Sequence, residues 1–258
     1  MYNKKNILAF VITMMFGSVY AADNSIYIDQ AGDNATITIT QDGASNRVRA
    51  VGATSNDQSA KLYGDGLTVN VTQTGSGNDL KLGTQTGTVG GIGTNITYSV
   101  TGNNATATID MNNAGSQTSQ ANTISVTQVG DGANTNINMK GSNNSMTVSQ
   151  SGGNNNSFVA TVDAASTLVT VSQTGGGNNN TTLDLTSNKG TVDIITVGAS
   201  NTIDITQQGT AGTNGHYAKV DLNGSSNSVS ILQNGTIDMT TNIKSVGNTN
   251  SFTIIQRN

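Results

Sequence analysis

Asn144-Ser145-Met146-Thr147-Val148-Ser149-Gln150 is followed by Ser151-Gly152-Gly153-Asn154. Side chains alternate faces along a strand, so Asn144, Met146, Val148 and Gln150 share one side and Ser145, Thr147 and Ser149 the other. A strand built this way buries an amide at each end of an apolar pair. The phrase asparagine, any, apolar, any, apolar, any, glutamine is written six times, at Asn24 to Gln30, Asn122 to Gln128, Asn144 to Gln150, Asn201 to Gln207, Asn227 to Gln233 and Asn250 to Gln256. Looser copies ending at Gln41, Gln73 and Gln173 keep all but the leading Asn. Neighbouring copies, where closest, lie about 22 to 26 residues apart, and a fixed period of roughly 20 to 50 residues marks stacked units.

Between the Gln-ended segments lie second alternating segments, such as Leu80 and Leu82, Ala105 to Met111, Ile137 and Met139, Phe158 to Val162, Leu183 and Leu185, Val220 and Leu222, and Ile237 and Met239. Each period therefore predicts two strands and two turns. Gln-x-Gly followed by Asn, as in Gln41 to Asn46 and Gln73 to Asn78, supplies the residues that tolerate the left-handed backbone of a tight arc. Two geometries use such a unit, a flat antiparallel meander or a coil in which each strand-turn-strand is a rung. Only the coil brings equivalent amides about 4.8 Å apart on successive rungs, where they hydrogen-bond in ladders. In the meander each buried amide would lack a partner, at roughly 1–3 kcal/mol. The expected fold is an all-β solenoid of stacked two-strand rungs with Asn and Gln ladders, about ten rungs and on the order of 50 Å long. Residues 83–94, 112–121 and 208–217 read as loops, the last holding the lone histidine, His216. Gly102 and Val197 stand where Gln is expected, which predicts weaker rungs there.

Composition narrows the function classes. Lys4 and Lys5, an apolar run from Ile7 to Phe16 and small residues near Ala21 read as a secretory signal peptide over 1–21, with the repeat region over 22–258. The expected location is secreted, extracellular or at the cell surface, with no membrane-spanning segment after cleavage. The chain has no Cys and no Pro; disulfides are unavailable, and nothing interrupts a strand's hydrogen-bond ladder. Without Lys4 and Lys5 the eleven basic residues fall to nine against fifteen acidic ones, a net charge near −6. With only Arg47 and Arg49 close together, a nucleic-acid partner is disfavoured.

The segment Asn144 to Gly152 leading to Asn154, and Asn24 to Gln30 leading into Ala31-Gly32-Asp33-Asn34, resemble the curlin repeat, which pairs two short strands per period around a Gln-x-Gly-x-x-Asn turn. Curlins are subunits of curli, the secreted amyloid fibres of bacterial biofilm matrix. The resemblance implies that Gln30, Gln128, Gln150, Gln173, Gln233 and Gln256 correspond to the inward Gln, and Asn34, Asn46, Asn78, Asn134 and Asn178 to the Asn after the turn. It also implies self-assembly as a homopolymer in adhesion or biofilm matrix, with a nucleator subunit and an outer-membrane export apparatus as partners. The Gly-rich segment that precedes the first repeat of curlins has no counterpart here, since Asn24 begins a repeat at once. Similar repeats resemble those in some structural proteins of bacteriophages, so a part of a phage particle or adhesin is the alternative context.

No enzyme is expected. The chain lacks Glu and Cys, and His216 sits in a Gly-rich stretch where a solvated histidine is the simplest reading. No cofactor or metal is expected either; Gly130-Asp131-Gly132 lacks the nine-residue pattern of calcium-binding repeats. Asp29, Asp110, Asp184, Asp204, Asp221 and Asp238 alternate with apolar residues and are expected outside as gatekeepers against unwanted strand pairing. Outward rows such as Thr36, Thr38, Thr40 and Thr123, Ser125, Thr127 resemble the faces of ice-binding solenoids, giving a second alternative, a monomeric ice-binding protein. The assembling groups are expected to be the inward amides, Gln30, Gln41, Gln73, Gln128, Gln150, Gln173, Gln207, Gln233 and Gln256 with Asn24, Asn122, Asn144, Asn201, Asn227 and Asn250. An uncapped last strand at Asn250 to Gln256 is expected to template the next copy.

Overall fold

The structure, a computed structural model, describes residues 10–12, 23–31, 33–55, 58–63, 66–84, 94–110, 123–140, 144–154, 156–163, 167–185, 189–209 and 215–258. The expected leader apart from Phe10–Ile12 lies outside this set, as do Asn122, Met111, the 112–121 segment and most of the loops expected at 83–94 and 208–217.

Strands follow one another as β1 (Phe10–Ile12), β2 (Ser25–Ile26), β3 (Ile28–Ala31), β4 (Thr36–Asp42), β5 (Arg47–Val51), β6 (Ala60–Tyr63), β7 (Thr68–Thr74), β8 (Asp79–Thr84), β9 (Asn95–Thr101), β10 (Thr106–Asp110) and β11 (Thr123–Val129). The second half continues with β12 (Asn134–Lys140), β13 (Ser145–Ser151), β14 (Ser157–Asp163), β15 (Leu168–Thr174), β16 (Asn180–Leu185), β17 (Thr191–Val197), β18 (Thr202–Gln208), β19 (Tyr217–Asn223), β20 (Ser228–Asn234), β21 (Thr240–Val246) and β22 (Ser251–Arg257).

Alternate strands join two ten-stranded parallel sheets. The first is β1-β4-β7-β9-β11-β13-β15-β17-β19-β21 and the second β2-β5-β8-β10-β12-β14-β16-β18-β20-β22. This is the stacked coil, not the meander. From β4–β5 to β21–β22 the described strands stack as nine rungs through about eight turns, slightly fewer than the ten rungs expected. The difference arises near the start, where β2 pairs with β5 but β3 turns away to pair with β6 in a separate two-stranded sheet.

Inward and outward residues alternate along nearly every strand, and the inner faces of the two sheets meet in a narrow core. Val69, Val71, Ile96, Tyr98, Ile124, Val126, Met146 and Val148 line it from the first sheet, and Leu80, Leu82, Ile109, Ile137, Phe158 and Leu183 from the second. Each of these is at most 1 % exposed, and burying such a side chain contributes about 1.5–3 kcal/mol. Rung-to-rung backbone pairing satisfies the polar main chain between the sheets' two edges.

Three local expectations change. The seven-residue phrase does not belong to one sheet: the copies ending at Gln128 and Gln150 lie in the first, those ending at Gln207, Gln233 and Gln256 in the second. Either sheet accepts it, because both run a seven-residue strand between two arcs. In the Gln-less rungs the register partner of Gln is Val100, which pairs with Gln73 and Gln128, and Thr196, which pairs with Gln173; Gly102 and Val197 lie beyond that position. Ile237 is not on a strand and is 57 % exposed; the strand begins at Thr240 and sends Thr241, Ile243 and Ser245 inward. That inner face is mostly polar, so hydrophobic alternation could not find it.

Candidate functional site: the inward amide columns

The glutamines of the first sheet form a directed column. Gln41 Nε2 donates to Gln73 Oε1 at 2.7 Å, Gln128 Nε2 to Gln150 Oε1 at 3.2 Å, and Gln150 Nε2 to Gln173 Oε1 at 2.9 Å. Threonines of the facing sheet brace it. Gln128 Nε2 also donates to Thr135 Oγ1 at 3.0 Å, Thr135 Oγ1 donates to Gln150 Oε1 at 2.8 Å, and Gln173 Nε2 reaches Thr181 Oγ1 at 2.9 Å. One rung later Thr196 occupies the first sheet's position and the column changes sheet. It resumes with Gln207 Nε2 on Gln233 Oε1 and Gln233 Nε2 on Gln256 Oε1, both 2.8 Å, with Thr241 donating to Gln256 Oε1 at 3.0 Å. Gln207 Oε1, above Leu185, has no partner among the described residues. In every Gln-to-Gln link the amide nitrogen points toward the C-terminal end.

Val100 leaves a gap in the first column, and Tyr98 spans it. Its ring is 1 % exposed and its hydroxyl donates to Gln128 Oε1 at 3.3 Å. Burial pushes the phenol well above its ordinary range, with a hydrogen bond to Gln73 opposing, so the ring stays protonated and able to donate. Tyr98→Phe is therefore expected to cost roughly 1–3 kcal/mol by stranding a buried amide, read as a lower guanidinium midpoint.

A second set of columns runs along the arcs. Asn78 N–H donates to Asn46 Oδ1, Asn201 N–H to Asn179 Oδ1 and Asn227 N–H to Asn201 Oδ1, each at 3.1 Å. The same side chains clamp the next rung: Asn46 Nδ2 donates to Gly75 O at 2.8 Å, Asn78 Nδ2 to Gly102 O at 2.9 Å and Asn201 Nδ2 to Gly224 O at 2.9 Å. This explains the Gly within the repeat. Gly75 and Gly224 have φ of 110° and 142°, and a Cβ on either would strike the carbonyl of Gly102 or Gly247 one rung on. Neither the left-handed backbone nor the close approach suits another residue.

The expected ladder residues divide by position. Gln73, Gln128, Gln150, Gln173, Gln207, Gln233, Asn144, Asn201 and Asn227 are buried. Gln30, Gln41, Gln256 and Asn250, near the ends of the stack, are half-buried, and Asn24 is exposed. Gln30 faces Leu62 in register rather than another Gln. Of the five turn asparagines, Asn46 and Asn78 are buried, whereas Asn34, Asn134 and Asn178 are exposed. Arc length decides this: the inward residue is Asn179 where the arc has one residue more, and Ala133 where Asn134 comes one too late.

The six aspartates take different places. Asp29, Asp184, Asp204 and Asp238 are exposed, and Asp221 is half-buried opposite Lys244 in register. No two of the six are register partners, so they do not form a repelling stack. Asp238 is in a turn, not a strand, and accepts from Gly215 N–H at 3.0 Å. Asp110 departs most from a solvated gatekeeper: its Oδ1 is buried without a hydrogen bond among the described residues, and desolvation raises its pKa. A carboxyl whose folded pKa lies above its unfolded value binds more protons when folded, so stability falls as pH rises through that window. Asp110→Asn is expected to raise the melting temperature at neutral pH and to flatten its decline above about pH 4; an identical pH profile in the variant would contradict the assignment.

His216, expected in solvent, is buried, with neither ring nitrogen partnered among the described residues. It occupies the position just before β19, stacked between Gly190 and Met239: the carbonyls of Gly190, His216 and Met239 accept from the N–H of Leu168, Thr191 and Tyr217, each the first residue of a strand one rung earlier. Elsewhere this inward position holds Asn144 or Thr167, and a loop reading of residues 208–217 concealed it. Asp131 accepts from Asn103 N–H and Nδ2 at 2.7 and 3.1 Å, tying its arc to the preceding one. Among the described residues no three acidic or histidine side chains converge as metal ligands, and no helix is long and apolar enough to cross a membrane.

Residues 141–175 match the family model described as Curlin associated repeat. The match takes in β13, its arc, β14 and β15, one full rung with the strand that stacks upon it. The chain thus carries the curlin repeat on a parallel β-solenoid. No curated protein and no solved structure matches the chain.

Proposed function

We propose that this chain is a structural subunit of a secreted, amyloid-like fibre, of the kind curlin repeats build, that grows by adding copies to the ends of the stack. The observation that carries this reading is the directed Gln column, which reaches Gln256, whose Oε1 accepts from Gln233 and whose amide nitrogen donates to the exposed Thr240 O at 3.2 Å, a bond that a glutamine of another copy could replace. β21 and β22 are the last strands of their sheets, and the inward Phe252 and Ile254 are only partly buried. Another copy would cover both, continuing backbone pairing and amide ladder together. A nucleator and an export pore are the partners this role calls for, and catalysis has no part in it.

The test is assembly itself. The chain from Ala22, diluted from denaturant, is expected to give a lag and then seedable thioflavin-positive fibres by electron microscopy. Gln233→Ala with Gln256→Ala, or removal of Asn250 to Gln256, is expected to slow elongation several-fold. Growth unchanged by both would defeat end templating, and a stable β-rich monomer would defeat the fibre reading. In that event the outer face of the first sheet gains weight, because Thr38, Asn70, Thr97, Ser125, Thr147 and Thr170 form an uncharged row through six rungs, as an ice-binding surface requires.

A further inference from the structure

The two ends of the stack do not match when simply translated. At the N-terminal end the Gln column lies in the first sheet, beginning at Gln41 on β4; at the C-terminal end it lies in the second, ending at Gln256 on β22. After the leader, the described coil also opens on a strand of the second sheet, β2, and β22 is again of the second sheet. If one copy sat on another without rotation, β22 would meet β2 and the first sheet would be left with a one-strand gap between β21 and β4. About 4.8 Å of unpaired backbone would open on one side of every junction.

A half-turn about the long axis removes the gap. The first sheet of the incoming copy then continues the second sheet of the copy below it, and strand directions stay parallel because both sheets belong to the same coil. Resting on the fibre reading above, we propose that successive copies of this chain are related by a half-turn, with β22 of one pairing with β4 of the next and β21 with β2 and β3. The resulting partners are Phe252 with Ile37, Ile254 with Ile39, Gln256 with Gln41, Ile243 with Ile28 and Ser245 with Gln30.

Polarity agrees along the glutamine column and at the asparagine that precedes β22. Gln41 gives its amide hydrogen to Gln73 and so turns its carbonyl toward the junction, where Gln256 presents an amide nitrogen that, among the described residues, donates to the exposed Thr240 O at 3.2 Å. The column then runs Gln207, Gln233, Gln256, Gln41, Gln73 without reversal. Asn250 donates to Asn227 Oδ1 through both N–H and Nδ2, at 3.0 Å each, leaving its own Oδ1 for the next rung. Ala35 would meet it there. The same pairing exists within the chain, where Ala105 N–H donates to Asn78 Oδ1 at 3.0 Å. The change of sheet after Gln173, which interrupts the column inside each copy, is what lets it continue between rotated copies.

In the chain with its first residues in place, Phe10–Ile12 lie along Ile37 to Ile39 of β4, so the junction forms only once they are removed. The absence of native cysteine makes the geometry testable. A half-turn places the outward Thr253 beside Thr38 of the neighbouring copy at one strand spacing, about 5 Å, within the Cα range of a disulfide. An unrotated stack places Thr253 beside Tyr27 instead. Fibres of the chain from Ala22 carrying Thr38→Cys and Thr253→Cys, oxidised after assembly, are expected to give reducible covalent multimers on denaturing gels. Fibres carrying Tyr27→Cys and Thr253→Cys are expected to dissolve to monomer. Cross-linking of the second pair, or of neither in well-formed fibres, would overturn the half-turn while leaving fibre assembly intact; failure of both variants and the parent chain to form fibres would overturn both.

Discussion

Gln150→Ala is expected to be among the most destabilising single changes in the chain, lowering the unfolding free energy by about 3 kcal/mol. The side chain is fully buried and joins three partners, Gln128 Nε2, Thr135 Oγ1 and Gln173 Oε1. Truncation leaves a cavity and weakens the pairing of all three groups, and each buried polar group left unsatisfied costs roughly 1–3 kcal/mol. Thr135 and Gln128 still hold each other at 3.0 Å, which keeps the total below the sum of three full penalties. Gln150→Glu is expected to be worse, because a carboxylate cannot donate to Gln173 and its charge is buried. A guanidinium titration in which Gln150→Ala and the parent share a midpoint would show that the column is ornamental to stability.

Val148→Pro is expected to sever the stack at its middle. Val148 is 1 % exposed and lies in register between Val126 and Val171. Proline removes one N–H from the ladder and forces its ring into a strand flanked on both sides, a loss of about 3 kcal/mol or more. A solenoid contacts only its neighbours, so the rungs before and after β13 would no longer stabilise each other. The far-ultraviolet β signal should fall and the unfolding transition should broaden or split. An unchanged spectrum and a single unshifted transition would remove Val148 from the sheet interior.

Much of this was legible because the rung is a local object. Period-two alternation fixes which side chains share a face wherever the inner residues are apolar, and the Asn and Gln at the ends of the phrase announced that amides would be buried and must stack. Where the inner face is polar, as in Thr241 and Ser245 of β21, alternation carries no hydrophobic signal and points to Ile237 instead of the true strand. His216 differs from expectation for a related reason: a Gly-rich neighbourhood suggests solvent, yet away from the ends of the stack the position immediately before a strand points inward, whether it holds Asn78, Thr94, Thr167 or His216.

What the sequence by itself determined is the unit, two alternating strands, a Gly and Asn arc, and a coil in which stacking lets the buried amides of successive rungs meet. Tertiary structure alone decided which unit lies on which. The crossing of the Gln column from the first sheet to the second, the bridging of Val100 by Tyr98, and the choice of Asn179 over Asn178 all depend on how many residues each arc contains. A single residue more or less in an arc shifts the register of the next strand by one and exchanges its inner and outer faces. That length is compared only between rungs distant in sequence, and hydrogen bonds such as Asn201 to Gly224, across 23 residues, are where the comparison is made.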